Sequence, residues 1–395
     1  MAARLVMALG MRLLRWAGVL LLWAVVAACL AVTIVPRFLD RVYYRGEPTG
    51  HFDGARFFNP DGETAAPPGG GNRASFLMKR ITGEGDAAWP SRVPVRLAKP
   101  AARVEGQAMV ATWVGHATVL VQTQGLNILT DPIWSDTAGP LGFGPRRVTV
   151  PGIAFDDLPK IDLVLVSHNH YDHLDQATLK RLWRRDRPVI VTSLGNDSVI
   201  GQVGVPARRL DWGQRTVLRP GIEVAVTRNH HWGSRWFTDR NRALWSSFVV
   251  TLPGGNLFFA GDTGFGDGQW PREAAALGPV RFAILPIGAF RFQPGQMGTD
   301  SHVGPPDAIR VFDRLGQPFA LPIHWGTFKL SSEARDTPPR MLAALARCSG
   351  IDPARFAPVA VGSAVTVPAL GAAPRRLDEA RLARCATTAE VTALP

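Results

Sequence analysis

Apolar positions along the chain keep three different rhythms. Residues 16–36 (WAGVLLLWAVVAACLAVTIVP) form an apolar run of 21 residues without a charge. At a rise of about 1.5 Å per residue such a run crosses the roughly 30 Å hydrocarbon core of a bilayer. This predicts a transmembrane helix or signal anchor after a basic N-terminus, residues 1–15. Residues 37–106 lose the apolar period, with a Gly-, Pro- and polar-rich stretch over 45–73 that reads as a linker or N-terminal wrap. From residue 107 short β-rich runs alternate with turn residues: MVATWV, ATVLVQT, NILTDP, DLVLVS, PVIVTS, IEVAVT, SSFVVTL, NLFFAGD, FAILPI and FALPI. Helix-period segments lie between or after them at residues 176–184, 271–277, 306–315 and 332–346. Strands and helices thus recur in two successive series, which suggests an α/β architecture of two packed sheets with helices outside, over residues 107–370. Residues 371–395 are a tail with one helix-prone segment, 374–385.

Composition narrows the classes. With 46% hydrophobic and 19% charged residues the chain is neither disordered nor fibrous, and 40 glycines with 32 prolines exclude a helical bundle. A net charge of +12 suggests an anionic partner: nucleic acid, a phospholipid surface or a phosphorylated substrate. Only five of the 44 basic residues are lysines, and the arginines are dispersed along the chain without forming a basic tail. Three cysteines, Cys29, Cys348 and Cys385, form no CxxC pair, so neither a disulfide framework nor a cysteine-based zinc site is expected. Arg12 and Arg15 precede the apolar run and Arg37 and Arg41 follow it, so the positive-inside rule gives no orientation. A cleaved signal peptide, or a lipoprotein box at Val26-Ala27-Ala28-Cys29, are the alternatives to an uncleaved helix.

The chemistry is concentrated where strands end. IDLVLVS runs into His168-Asn169-His170-Tyr171-Asp172-His173, in which His168 and His170 project to one side of an extended strand end and Asp172 and His173 come from the following turn. One loop can therefore feed two metal ions. NLFFAG ends at Asp262 in a Gly-Asp-Thr-Gly turn, FALPI ends at His324, and the strand at 222–227 leads to His230 and His231, adjacent residues that must point in roughly opposite directions.

These motifs resemble the metallo-β-lactamase superfamily. More closely, Trp113-Val114-Gly115-His116, Leu129-Thr130-Asp131-Pro132, the loop from Ser167 to Asp175, His231-Trp232, the turn at Asp262, Pro286-Ile287-Gly288-Ala289 and Ile323-His324-Trp325-Gly326 resemble, in order, the N-acyl-phosphatidylethanolamine-hydrolysing phospholipase D family. The resemblance implies a four-layer αββα sandwich. It implies two zinc ions per chain, one on His168, His170 and His231 and the other on Asp172, His173 and His324, with Asp262 between them. It places Asp131 behind a ligand histidine and His302 near the scissile group, and leaves His116 either structural or in the active site. It also implies a homodimer. The sequence departs from the family between Phe290 and His302, where Ser301 stands in place of the usual Gln, so the metal ligands are intact while the substrate wall differs.

On this reading Asp172, Asp262 and His302 are the catalytic side chains of a membrane-associated phosphodiesterase that hydrolyses N-acyl-phosphatidylethanolamine or a related phospholipid to phosphatidic acid and a free head group. Imidazoles and carboxylates without a thiolate support zinc; iron ranks below it because the di-iron relatives typically place Glu where this loop has its second histidine and no flavodoxin-like region follows, and the absence of a cysteine ligand disfavours a true β-lactamase. A nuclease is disfavoured because no basic-aromatic module accompanies the motifs, so nucleic acid is not an expected partner. The runner-up is a lactonase or phosphodiesterase acting on a small soluble phosphorylated substrate; a non-catalytic membrane scaffold ranks below both. Arginines near the anchor and the basic face at residues 180–187 are expected contacts for anionic head groups.

Overall fold

The structure, a computed structural model, describes residues 2–62, 87–236, 238–293, 296, 299–372 and 374–395. The middle of the expected linker, residues 63–86, and part of the stretch before His302 lie outside the described residues.

Thirteen strands form two sheets among the described residues. The first contains β1 (Met109–Gly115), β2 (Thr118–Thr123), β3 (Leu126–Thr130), β4 (Leu163–Val166), β5 (Val189–Ser193), β6 (Arg208–Leu210) and β13 (Ala364–Thr366), in the order β13-β1-β2-β3-β4-β5-β6. The second contains β7 (Arg215–Arg219), β8 (Ile222–Thr227), β9 (Ser247–Thr251), β10 (Asn256–Phe259), β11 (Val280–Pro286) and β12 (Phe319–Ile323), in the order β12-β11-β10-β9-β8-β7. The strands β3 to β6 pair in parallel, as do β10 to β12; the remaining pairs are antiparallel.

The period-2 rule places the layers. Leu163 and Leu165 of β4 and Phe282 and Ile284 of β11 enter the core between the sheets. Their alternates face helices: Val164 and Val166 pack under α2 (Gln176–Asp186) and α3 (Asn196–Gly201), and Ala283 and Leu285 under α4 (Trp270–Ala275), α5 (Pro305–Arg314) and α6 (Thr337–Ser349). Strands buried on both faces read as continuous apolar runs, which is why LVLV and VRFAILP show no polar alternation. The result is the αββα sandwich.

Helix starts follow local chemistry. Asp175 caps α2, its carboxylate accepting from the amides of Ala177 and Thr178 at 3.0 and 3.3 Å. Two prolines open α5, and α6 begins at Thr337 with Pro338 and Pro339 in its first turn, five residues later than the sequence pattern predicts.

Both ends of the chain differ from expectation. Helix α1 (Ala2–Leu39) passes through Arg12, Arg15 and Pro36. Its stretch long and apolar enough to cross a membrane, by length and composition, is Gly10–Ala31, with mean hydropathy 2.1 and none of it buried, so it starts six residues before the expected run. Of the two readings of the stretch after the helix, linker or wrap, its first part is a wrap: Phe52 and Phe57 are buried beside Leu194, Leu244 and Trp245, and Tyr43 donates to Asp239 at 2.8 Å. The tail is docked, with α7 (Glu379–Ala386) and α8 (Ala389–Thr392) placing Leu382, Val391 and Leu394 in the core under α6. Cys348 and Cys385 form a disulfide with Cα atoms 5.8 Å apart, contrary to the expectation of none. The pair follows no spacing motif because it joins two helices that meet only in the folded domain.

Candidate metal centre

The ends of β3, β4, β8, β10 and β12 converge at one edge of the sandwich, and each delivers a polar side chain there. From the turn after β4, His168 Nε2 lies 2.8 Å from His170 Nδ1, and the amides of His173 and Leu174 donate back to the His170 carbonyl at 3.2 and 2.9 Å. The tight turn carries Asp172 and His173 to the far side of the same site. One set of donor atoms gathers from His168, His170, His231 and Asp262, and another from His116, Asp172, His173 and His324. Asp262 joins them: its Oδ2 lies 3.0 Å from both His173 Nε2 and His324 Nε2, and 3.5 Å from His302 Nε2.

The donor set fits divalent cations. Asp262 Oδ1 is buried without a hydrogen-bond partner, while His170 turns its Nδ1 toward the imidazoles of His168 and His231. His231 Nε2 faces His170 Nδ1 at 3.4 Å and His173 Nε2 faces His324 Nε2 at 3.2 Å, so ring nitrogens meet ring nitrogens. Burial lowers His170 to about 3 and, with neighbouring imidazoles, takes His168 and His231 well below their ordinary value. Burial opposes ionisation of Asp172 and Asp262, but the surrounding histidines, His173 first, hold both carboxyls well below the usual range. Neutral imidazoles and ionised carboxylates are the forms that ligate metals. Conversely, despite burial, Asp262 and Asp172 hold His173 well above its ordinary value and His324 at about 9: the paired carboxylates demand positive charge between them.

The supporting groups are equally specific. Asp131, fully buried with φ +28°, accepts from His173 Nδ1 at 2.6 Å, Ser167 Oγ at 2.5 Å and the Ser167 amide at 2.7 Å, which fixes the His173 tautomer. His231 Nδ1 donates to the Ser301 carbonyl at 2.9 Å, leaving Nε2 for the site. His116 and His324 also sit in the left-handed region, at φ +52° and +64°. His116 Nε2 meets Asp172 Oδ2 at 2.8 Å, its carbonyl accepts from the His324 amide, and its ring is held near pKa 3 by burial and the His324 charge. His116 is therefore a neutral clamp on Asp172.

His230 and His231 point apart as expected: His230 Nδ1 lies 3.0 Å from Asp61 of the wrap. Asn59, also on the wrap, donates to the His231 carbonyl at 2.9 Å and accepts from Trp245 Nε1. Sequence reasoning missed Asn59 and Asp61, which stand in a non-periodic stretch with no motif. It also missed Asn229, whose side-chain amide holds the carbonyls of Ala260 and Asp262, and Arg235, which ties the carbonyls of Asn169 and Leu174 and lies 3.9 Å over the Tyr171 ring.

Residues 126–325 match the Beta-lactamase superfamily domain. The chain is 33% identical over 243 residues to N-acyl-phosphatidylethanolamine-hydrolyzing phospholipase D 1 of Caenorhabditis elegans, covering 59% of this chain and 68% of that one. It is 35% identical over 260 residues to an uncharacterized protein of Mycobacterium tuberculosis, covering 64% and 68% respectively. Among solved structures, the isothiocyanate hydrolase from Delia radicum gut bacteria superposes with a TM-score of 0.52 at 20% identity, covering 65% of this chain and 98% of that one.

Proposed function

Because the chain belongs to the metallo-β-lactamase superfamily, we propose that it is a zinc-dependent phosphodiesterase of phospholipase D type, acting on N-acyl-phosphatidylethanolamine or a related phospholipid at a membrane held by Gly10–Ala31. The observation that carries this reading is Asp262 standing between two sets of imidazole donors, in a chain that shares a third of its aligned residues with a phospholipase D. His168, His170 and His231 would hold one zinc and Asp172, His173 and His324 the other, with Asp262 shared. Two such ions, when bound, would supply a nucleophile at neutral pH and offset the charge of a phosphodiester.

The chain's own residues supply the rest. Asp131 holds a proton on His173 Nδ1, so that Nε2 is the nitrogen that would give up its proton to ligate a metal. His116 fixes the Oδ2 edge of Asp172. His302, held near pKa 4 by burial, is neutral at pH 7 and can donate one hydrogen bond to a phosphoryl or departing oxygen.

The test is a comparison of head-group release from vesicles of phosphatidylethanolamine or its N-acyl form with turnover of a water-soluble phosphodiester, both with zinc supplied. Faster turnover of the lipid supports the assignment; rapid cleavage of the soluble diester without head-group release would overturn it. Asp262→Asn is expected to lose both zinc and lipid turnover.

A further inference from the structure

The loop between β3 and β4 does something the catalytic reading does not require. It leaves the site at Asp131 and returns at residue 147, and between them it forms a finger with an apolar tip. Leu141 is 91% exposed and Phe143 74% exposed, the two highest values among large hydrophobic side chains of the described domain. A Cβ on Gly139 would collide with the Phe143 carbonyl, and one on Gly144 would fall 2.6 Å from the Ala138 carbonyl, so the neck closes as it does only with glycine at both positions. The Ala138 amide donates to the Pro145 carbonyl at 2.9 Å, Thr137 bridges Arg146, and the Phe143 amide donates to Pro140 at 2.8 Å. Leu141 at the tip has φ +52°, a conformation that a leucine adopts at a cost. A stiff turn that pushes two large apolar side chains into water is costly unless something apolar receives them.

The base of the finger is bolted to the catalytic edge. Arg147 donates to the carbonyls of Ser135 at 3.0 Å and Ile133 at 3.0 Å, and its guanidinium lies 5.2 Å from the centre of the Phe328 ring. Phe328 in turn meets the His116 ring edge-on at 5.2 Å, and His116 holds Asp172. Arg146 beside the tip is exposed and makes no ion pair among the described residues.

We propose that residues 139–146 are a membrane-docking finger: Leu141 and Phe143 enter the interfacial region of a bilayer while Arg146 meets its phosphates, so that the metal-site edge faces the lipid. The occupant is a lipid surface because an apolar tip backed by an exposed arginine matches the order of chemistry on entering a leaflet, and because the same chain carries an apolar helix of membrane-crossing length. The proposal deepens the phospholipid reading and rests on it, but its test does not use turnover.

The full chain carrying Cys29→Ser and Leu141→Cys is labelled at residue 141 with an environment-sensitive NBD probe and reconstituted into vesicles of phosphatidylethanolamine and phosphatidylglycerol. A second chain is labelled at Asp352→Cys, an exposed site in the loop that packs against the start of β12, away from the metal-site edge. The expected result is a severalfold rise and blue shift of emission at 141, with strong quenching by lipids doxyl-labelled near the head group, and water-like, unquenched emission at 352. Water-like emission at 141 would overturn the proposal. So would an apolar signal at 141 that doxyl lipids fail to quench, which would mean that protein, such as a second copy of this chain, covers the tip. If the finger inserts while no lipid is hydrolysed, the docking surface stands and the catalytic reading falls.

Discussion

Asp131 and Asp262 are both buried carboxylates, yet they answer to different neighbours. Asp262 faces three imidazole rings and keeps one oxygen without a partner, whereas every contact of Asp131 is a donor that it orients. Asp131→Asn is therefore expected to weaken zinc binding by about 10- to 100-fold without unfolding the domain, because it disturbs the His173 tautomer and leaves the ligand in place. Competition with a calibrated zinc chelator checks this; unchanged affinity would remove Asp131 from the site. At this scale the HxHxDH loop was legible because its members are contiguous and a strand end fixes their directions. Asn59 and Asp61 were not, since their role depends on a wrap that reaches His230 and His231 from about 170 positions away in sequence.

Elements with long apolar runs were legible, and short polar ones were not. The strands β6, β7 and β13 escaped because they are three to five residues long and partly exposed, with Arg208, Arg209, Arg215 and Arg219 in place of an apolar alternation. Helix α3, six residues long, is too short to display a 3.6-residue period. Helix α2 shows how a motif residue can serve the element and not the chemistry. Asp175 closes the motif that the sequence places at the metal loop, but its carboxylate caps α2, accepts from Thr178 Oγ1 at 2.6 Å and receives the Ser135 amide at 3.1 Å. Asp175→Ala should cost about 1–2 kcal/mol of stability in denaturant unfolding while zinc affinity stays within twofold. A selective loss of zinc would instead make Asp175 part of the site.

For the whole molecule, the +12 charge divides into two uses. Much of the arginine content staples backbone: Arg235, Arg281 and Arg147 each hold two or more carbonyls, and on the basic face of α2 Arg181 pairs with Asp156 and Arg185 with Asp186. Dispersal along the sequence is the trace of that stapling, which leaves fewer arginines free for an anionic surface than the count suggests.

The Cys348–Cys385 disulfide spans 37 residues and pins the C-terminal helices under α6. Its reduction is expected to cost roughly 3–4 kcal/mol, read as a lowered Tm in dithiothreitol. Disulfides persist in oxidising compartments, so under the proposed anchoring the domain is expected to face such a compartment. In intact cells Cys348 and Cys385 should then resist a thiol label until reductant is added; labelling without reductant would place the domain in a reducing compartment.

As proposed, two zinc ions sharing Asp262 would let this chain hydrolyse a phospholipid. The full chain, stripped with chelator and reconstituted in vesicles of N-acyl-phosphatidylethanolamine, is titrated with zinc while bound metal and released head group are measured in the same sample. The account predicts that release, with phosphatidic acid as the other product, develops as bound zinc approaches two per chain. A chain that saturates with two zinc ions and releases nothing, or that releases head group undiminished in chelator, would contradict it.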